Sequence, residues 1–154
     1  MRLSISITVL ASVLGAALAK PEKIRGVSDP VYHLYLQEYP KDKSTAVLGP
    51  ESSAEYFNIG GTIQSANTTL YLNVGNDSTS YKTLTFGTTA STKAWGLEGD
   101  TIITTQGSTW GRQLNFLVCK LDGNYWQLYL QTGSATPSGK TCSNYQTIHL
   151  PCLC

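Results

Sequence analysis

The 154-residue chain carries 11 Lys and Arg against 10 Asp and Glu, and only 14% of its residues are charged. A near-neutral balance spread without blocks lacks the electrostatic footprint of a nucleic-acid binder or a polybasic membrane binder. Abundant Thr, Ser, Gly, Asn and Tyr describe instead a neutral, polar surface suited to glycan-rich surroundings.

Arg2 precedes an apolar run from Leu3 to Leu18, interrupted only by Ser, Thr and Gly and ending in Ala17-Leu18-Ala19. This is the pattern of a secretory signal peptide cut after Ala19. The run is shorter than the roughly 20 residues of a membrane span, and no stop-transfer charge cluster follows, which disfavours an uncleaved anchor. Removing residues 1–19 leaves 135 residues, one ordinary domain, with ten basic and ten acidic groups once Arg2 is gone. No membrane contact is expected after cleavage.

Residues 20–30 are polar, contain Pro21 and show no periodicity, which predicts a flexible arm or short propeptide. Residues 31–154 then read as a single all-β domain. Val31 to Tyr39 is the first strand, ended by Pro40 and a charged turn at Lys41-Asp42-Lys43; Thr45 to Gly49 is the second, and Ala54 to Ile63 a hairpin. The clearest strands follow in Thr69–Val74, Tyr81–Gly87 and Lys93–Ile103, alternating apolar with polar residues and separated by Gly, Asn, Ser and Thr turns. No window keeps a 3.6-residue apolar period, so helix is not expected.

These strands line up as an approximate repeat. Leu34-Tyr35-Leu36 matches Leu70-Tyr71-Leu72, Leu48-Gly49 matches Phe86-Gly87, and Gly60–Ile63 matches Gly99–Ile102, with Tyr56 opposite Trp95. A weaker third copy runs through Phe116–Val118, Trp126–Leu130 and Gln146–Leu150. Three units of about 40 residues, each of about four short strands, predict a β-trefoil-like fold, with a β-sandwich of the same strands as the alternative.

All four cysteines, Cys119, Cys142, Cys152 and Cys154, lie near the end, and in an exported chain an even count points to disulfides. Of the three pairings, Cys119 with Cys142 is favoured because each sits beside a strand-like segment. Its complement, Cys152 with Cys154, would close a tight ring across Leu153, so those two are free, strained or paired between molecules. Cys152-x-Cys154 beside His149 lacks the spacing of a zinc site. No metal or cofactor is expected.

Nucleophilic catalysis needs a base beside the nucleophile, and only His33 and His149 are available, each readable as a solvated strand histidine. The carboxylate pairs Glu98 and Asp100, Glu51 and Glu55, and Glu38 and Asp42 fall in turn-like segments, where acidic residues are ordinary. No catalytic residue is assigned. Among the aromatics, Trp95 and Trp126 alternate with small or polar residues and should face the core. Trp110 sits in a Gly-flanked loop beside Arg112, and these two are the candidate ligand-binding residues: an exposed ring can stack on the apolar face of a sugar. Asn67-Thr-Thr69 and Asn76-Asp-Ser78 are N-glycosylation acceptors in turn-like segments.

The chain resembles the small secreted fungal cell-wall proteins of the PhiA type. The resemblance rests on a short signal, the Leu70-Tyr71-Leu72 strand, Trp95-Gly-Leu-Glu-Gly-Asp-Thr-Ile102, Phe116-Leu-Val-Cys119, Trp126-Gln-Leu-Tyr129 and the Gly139 to Cys142 turn, over about Leu34 to Leu150. The Pro151-Cys-Leu-Cys154 end departs from it. It implies an extracellular wall-associated glycoprotein with roles in development or host contact, and no catalytic residues to carry over. The expected function is therefore structural or glycan-binding, non-catalytic, with cell-wall polysaccharide as partner. The rivals are an effector that contacts a host extracellular protein and a small secreted hydrolase.

Overall fold

The structure, a computed structural model, describes residues 20–151. The expected signal peptide at 1–19 and the cysteines at 152 and 154 lie outside the described residues. The fold is all-β. Its strands are β1 (Arg25–Gly26), β2 (Tyr35–Tyr39), β3 (Asp42–Gly49), β4 (Phe57–Ile59), β5 (Ile63–Ser65), β6 (Tyr71–Val74) and β7 (Tyr81–Gly87). They continue as β8 (Trp95–Glu98), β9 (Thr101–Thr104), β10 (Phe116–Lys120), β11 (Trp126–Gln131), β12 (Cys142–Gln146) and β13 (Ile148–His149). One 3-10 turn, Glu51–Ser53, interrupts them. Every strand pair is antiparallel, and hydrogen bonds join the strands into one sheet rather than two, with β10 and β12 branching from β11 off the main path.

β3, β7 and β11, which fall at the second-strand positions of the three expected units, all pair with one another. Thr45 lies opposite Thr85, Leu48 opposite Trp126, and Leu130 opposite Lys82. Each of the three also forms a hairpin with its own first strand, β2, β6 or β10. The first two units then continue alike, with hairpins β4–β5 and β8–β9. The third does not: β12 turns back onto β10, and β13 pairs with β1 and β9. Three-fold equivalence among the described residues ends there.

The pattern of β10 explains this departure. Phe116, Leu117, Val118 and Cys119 are all buried, so this strand is covered on both faces. By two-residue alternation Phe116 and Val118 enter the main core with Leu36, Leu48, Leu72 and Trp95. Leu117 and Cys119 face the other way, into a small second cluster with Tyr129, Tyr81 and Cys142. The Cys119–Cys142 disulfide forms as expected, with the two residues directly opposite across β10 and β12 and their Cα atoms 4.1 Å apart.

Three expectations need correcting. Residues 20–30 are not a flexible arm: Glu22 exchanges backbone hydrogen bonds with Phe57 at 3.0 and 2.7 Å, Ile24 is fully buried, and β1 bridges β2 and β13. Gly26 permits the crossing, because a side-chain carbon there would lie 2.4 Å from the Val31 carbonyl oxygen. The first long strand starts at Tyr35 rather than Val31, since His33 takes a left-handed conformation (φ 56°) and stacks on Tyr32 in a turn. Finally Phe57, not Tyr56, is the core counterpart of Trp95: Phe57 is 1% exposed and Tyr56 44%. A one-residue slip in the alignment exchanges the two faces of a strand.

Candidate functional site

Trp110 stands in a tightly specified loop after β9. Thr104, wholly buried, donates its hydroxyl to the Gly111 carbonyl at 2.8 Å and accepts the Gln113 N–H at 3.0 Å. Ser108 donates to the same carbonyl at 2.7 Å, and the Gln113 amide donates to the Trp110 carbonyl at 2.9 Å. Gly111 turns the chain with a positive φ of 68°, which costs most other residues about 1–2 kcal/mol. The indole is half-buried and packs against the main core, so its position is fixed from behind. Thr104→Val keeps the shape and removes both hydrogen bonds, and is expected to destabilise the protein by about 1–3 kcal/mol. Urea unfolding of the variant checks this.

In front of the indole lies an open cleft of about 480 Å³, lined by Asn76, Asp77, Lys82, Gln113 and Thr132 as well as Trp110. The opposite wall is the loop between β6 and β7, and Asp77 organises it. Its carboxylate accepts the Thr83 N–H at 2.8 Å and the Thr83 hydroxyl at 3.0 Å, while Lys82 donates to the Asp77 carbonyl at 2.5 Å. Asn76, next to this anchor, is exposed at the rim. The cleft thus offers one aromatic surface and several amide, hydroxyl and ammonium groups, within the roughly 300–1,000 Å³ typical of ligand sites.

Of the residues expected to bind ligand, Trp110 lines this cleft and Arg112 does not. Beyond the Gly111 turn, the Arg112 guanidinium forms a two-pronged contact with the exposed Glu98 carboxylate, Nε to Oε2 at 2.5 Å. The hydrogen bonds from Arg112 hold the Glu98 carboxyl below its usual range. Trp95 and Trp126 are buried, as expected. Of the two glycosylation acceptors, Asn67 is exposed in a turn where its Oδ1 accepts the Tyr56 N–H at 2.8 Å, beside a recess lined by Tyr56, Pro21 and Ala66. Asn76 is in the Trp110 cleft itself, a proximity that residues 34 positions apart in the sequence do not reveal.

Two other clusters have chemical potential. His149 Nε2 lies 2.7 Å from the Thr147 hydroxyl, and its Nδ1 lies 3.2 Å from Asp100 and 3.3 Å from Thr101. His149 is also the strand partner of Thr101, so these contacts pin β13 to β9; none of these residues lines the cleft. Glu55, 8% exposed, accepts the Glu38 N–H at 2.6 Å and the Ser65 hydroxyl at 2.7 Å, tying β2 to β5. Burial first, and then the Glu55 charge, push the Glu38 carboxyl above its usual range. Neither carboxylate lines the Trp110 cleft.

The raised Glu38 value has a definite sign. Over the interval between its ordinary and its raised range the folded protein keeps a proton at Glu38 more readily than the unfolded chain does, so this group's contribution falls as pH rises above the ordinary glutamate range. Glu38→Gln is therefore expected to gain stability relative to wild type between about pH 4 and about pH 7. Denaturant titrations at the two pH values measure the difference. The depressed carboxyls of Glu98, Asp42 and Asp122 act oppositely, stabilising above their unfolded values and losing that contribution as pH falls.

Among the described residues no group of three or more His, Cys, Asp or Glu side chains is placed to hold a metal ion, and no helix is long and apolar enough to cross a membrane. No protein-family model, curated protein or solved structure matches the chain.

Proposed function

We propose that the chain is a secreted, non-catalytic extracellular protein that binds a neutral cell-wall polysaccharide through the Trp110 cleft. One observation carries this reading: Trp110, anchored against the core, lines an open cleft with the amides of Asn76 and Gln113 and the hydroxyls of Thr109 and Thr132, while the charged Asp77 and Lys82 in the same wall are engaged in hydrogen bonds to Thr83 and to the Asp77 carbonyl. A pyranose ring presents an apolar face for stacking and hydroxyls at its rim, which is what such a cleft complements. The neutral surface and the resemblance to PhiA-type wall proteins support the same location, and Arg112 serves the loop through Glu98 rather than the ligand.

Sedimentation of the purified protein with insoluble chitin, β-glucan and whole fungal wall tests this. Retention on one polymer, reduced at least tenfold in Trp110→Ala, is the expected outcome, since loss of a stacking ring is worth about 1.4 kcal/mol or more. No retention of either the glycosylated or the glycan-free protein would overturn the reading and favour contact with a host extracellular protein.

A further inference from the structure

The cleft that presents Trp110 to a ligand also contains an acceptor asparagine. Asn76, Asp77 and Ser78 form an N-x-Ser sequence, Asn76 and Ser78 are exposed, and Asn76 lines the same cleft as the indole. The Asp77 hydrogen bonds to Thr83 fix the backbone on which Asn76 is mounted, and the Trp110 loop is fixed by Thr104 and Ser108. Both walls are thus held by hydrogen bonds, and a group attached to the Asn76 amide begins at the rim of the cleft.

We propose that an N-linked glycan on Asn76 lies against Trp110 and closes the cleft, so that its removal or omission is what opens the site. The regulatory consequence rests on the polysaccharide-binding reading above; the position of the glycan does not. In the attachment step the Asn76 Nδ2 bonds to the anomeric carbon of a lipid-pyrophosphate-linked oligosaccharide. The bond from that carbon to the pyrophosphate oxygen breaks, lipid pyrophosphate leaves, and the amide gives up one proton. A sugar held one bond from the cleft has an effective concentration in the millimolar range, on the order expected for short tethers. A polysaccharide that stacks on the same ring with the same modest affinity has to compete against that local concentration. The other acceptor, Asn67, lies beside Tyr56 in a separate recess sharing no lining residue with the cleft, and so serves as the control.

The test uses the secreted protein from a glycosylating host, Ser78→Ala, which abolishes the Asn76 acceptor while leaving every lining residue in place, and Asn67→Gln. Peptide mass measurement reports occupancy at each asparagine, and acrylamide quenching of tryptophan fluorescence reports access to the indole. Trp95 and Trp126 are 2% and 8% exposed, so quenching is dominated by Trp110, and Trp110→Phe gives the background. Expected are occupancy at Asn76, quenching at least twofold stronger in Ser78→Ala than in wild type or Asn67→Gln, and retention on wall polymer only when Asn76 is bare. An unoccupied Asn76, or equal quenching in the occupied protein and Ser78→Ala, would overturn the proposal. A twofold quenching difference without polymer retention by any form would uphold the glycan's position and overturn the polysaccharide reading alone.

Discussion

Trp95→Ala is expected to lower stability by about 3–5 kcal/mol, the usual range for truncating a fully buried Trp. The side chain is 2% exposed and begins β8, yet its indole N–H donates to the Leu72 carbonyl of β6 at 3.0 Å. Truncation thus opens a large void in the main core and leaves a buried carbonyl without that donor. Neighbouring strands are held in register by hydrogen bonds and can collapse only partly into the space, which places the cost towards the upper end of the range. At roughly 3–5 °C per kcal/mol for a domain of this size, the melting temperature should fall by about 10–20 °C. Trp95→Phe, which fills most of the volume but lacks the N–H, should lose about half as much. Calorimetry on the three proteins measures both terms. Equal melting temperatures for wild type and Trp95→Phe would show that packing alone matters at this position.

Loss of the Cys119–Cys142 bridge is expected to have the second largest effect. The cysteines are 23 residues apart, and closing a loop of that length stabilises the folded state by about 3 kcal/mol in the chain-entropy model. Here the bridge also seals the small cluster formed by Leu117, Tyr129 and Tyr81 on the face of β10 away from the main core. A Cys119→Ala, Cys142→Ala double variant should melt roughly 10 °C lower. Near-ultraviolet circular dichroism should show the loss around Tyr129 and Tyr81, whose rings meet edge to face at 5.7 Å. A double variant melting within about a degree of wild type would mean that strand pairing alone secures β12.

How much of this was legible in the sequence follows from how far apart the interacting residues lie. β6, β7, β10 and β11 carry their apolar pattern within a few residues, and each was placed correctly. β1 is two residues long, and its partners are Tyr35 and, at the other end of the chain, His149 and Ile148. No local period announces such a strand. Adjacent aromatics hid the register at Tyr56 and Phe57, because either could be the inward residue until the Glu22 pairing is known. Gly-flanked Trp110 could be singled out from its loop alone, although the ring expected to be exposed is half-buried against the core. The rest of its cleft could not, since Asn76, Lys82 and Thr132 reach it from loops and strands whose proximity is set by the pairing of β7 with β11.

That junction of β3, β7 and β11 also governs how the molecule can be assembled. Its three strands are drawn from the first, middle and last thirds of the domain, so the loops that close it span tens of residues before any of its hydrogen bonds form. Local hairpins such as β2–β3 and β6–β7 can form early, but each presents an unpaired edge until β11 arrives. Folding should accordingly be slow for the chain's size, on the millisecond-to-second scale of proteins rich in non-local pairings. A shortened chain ending before Trp126 would leave β3 and β7 with only their own contact at Thr45 and Thr85, and would lose β12 and β13 as well as β11.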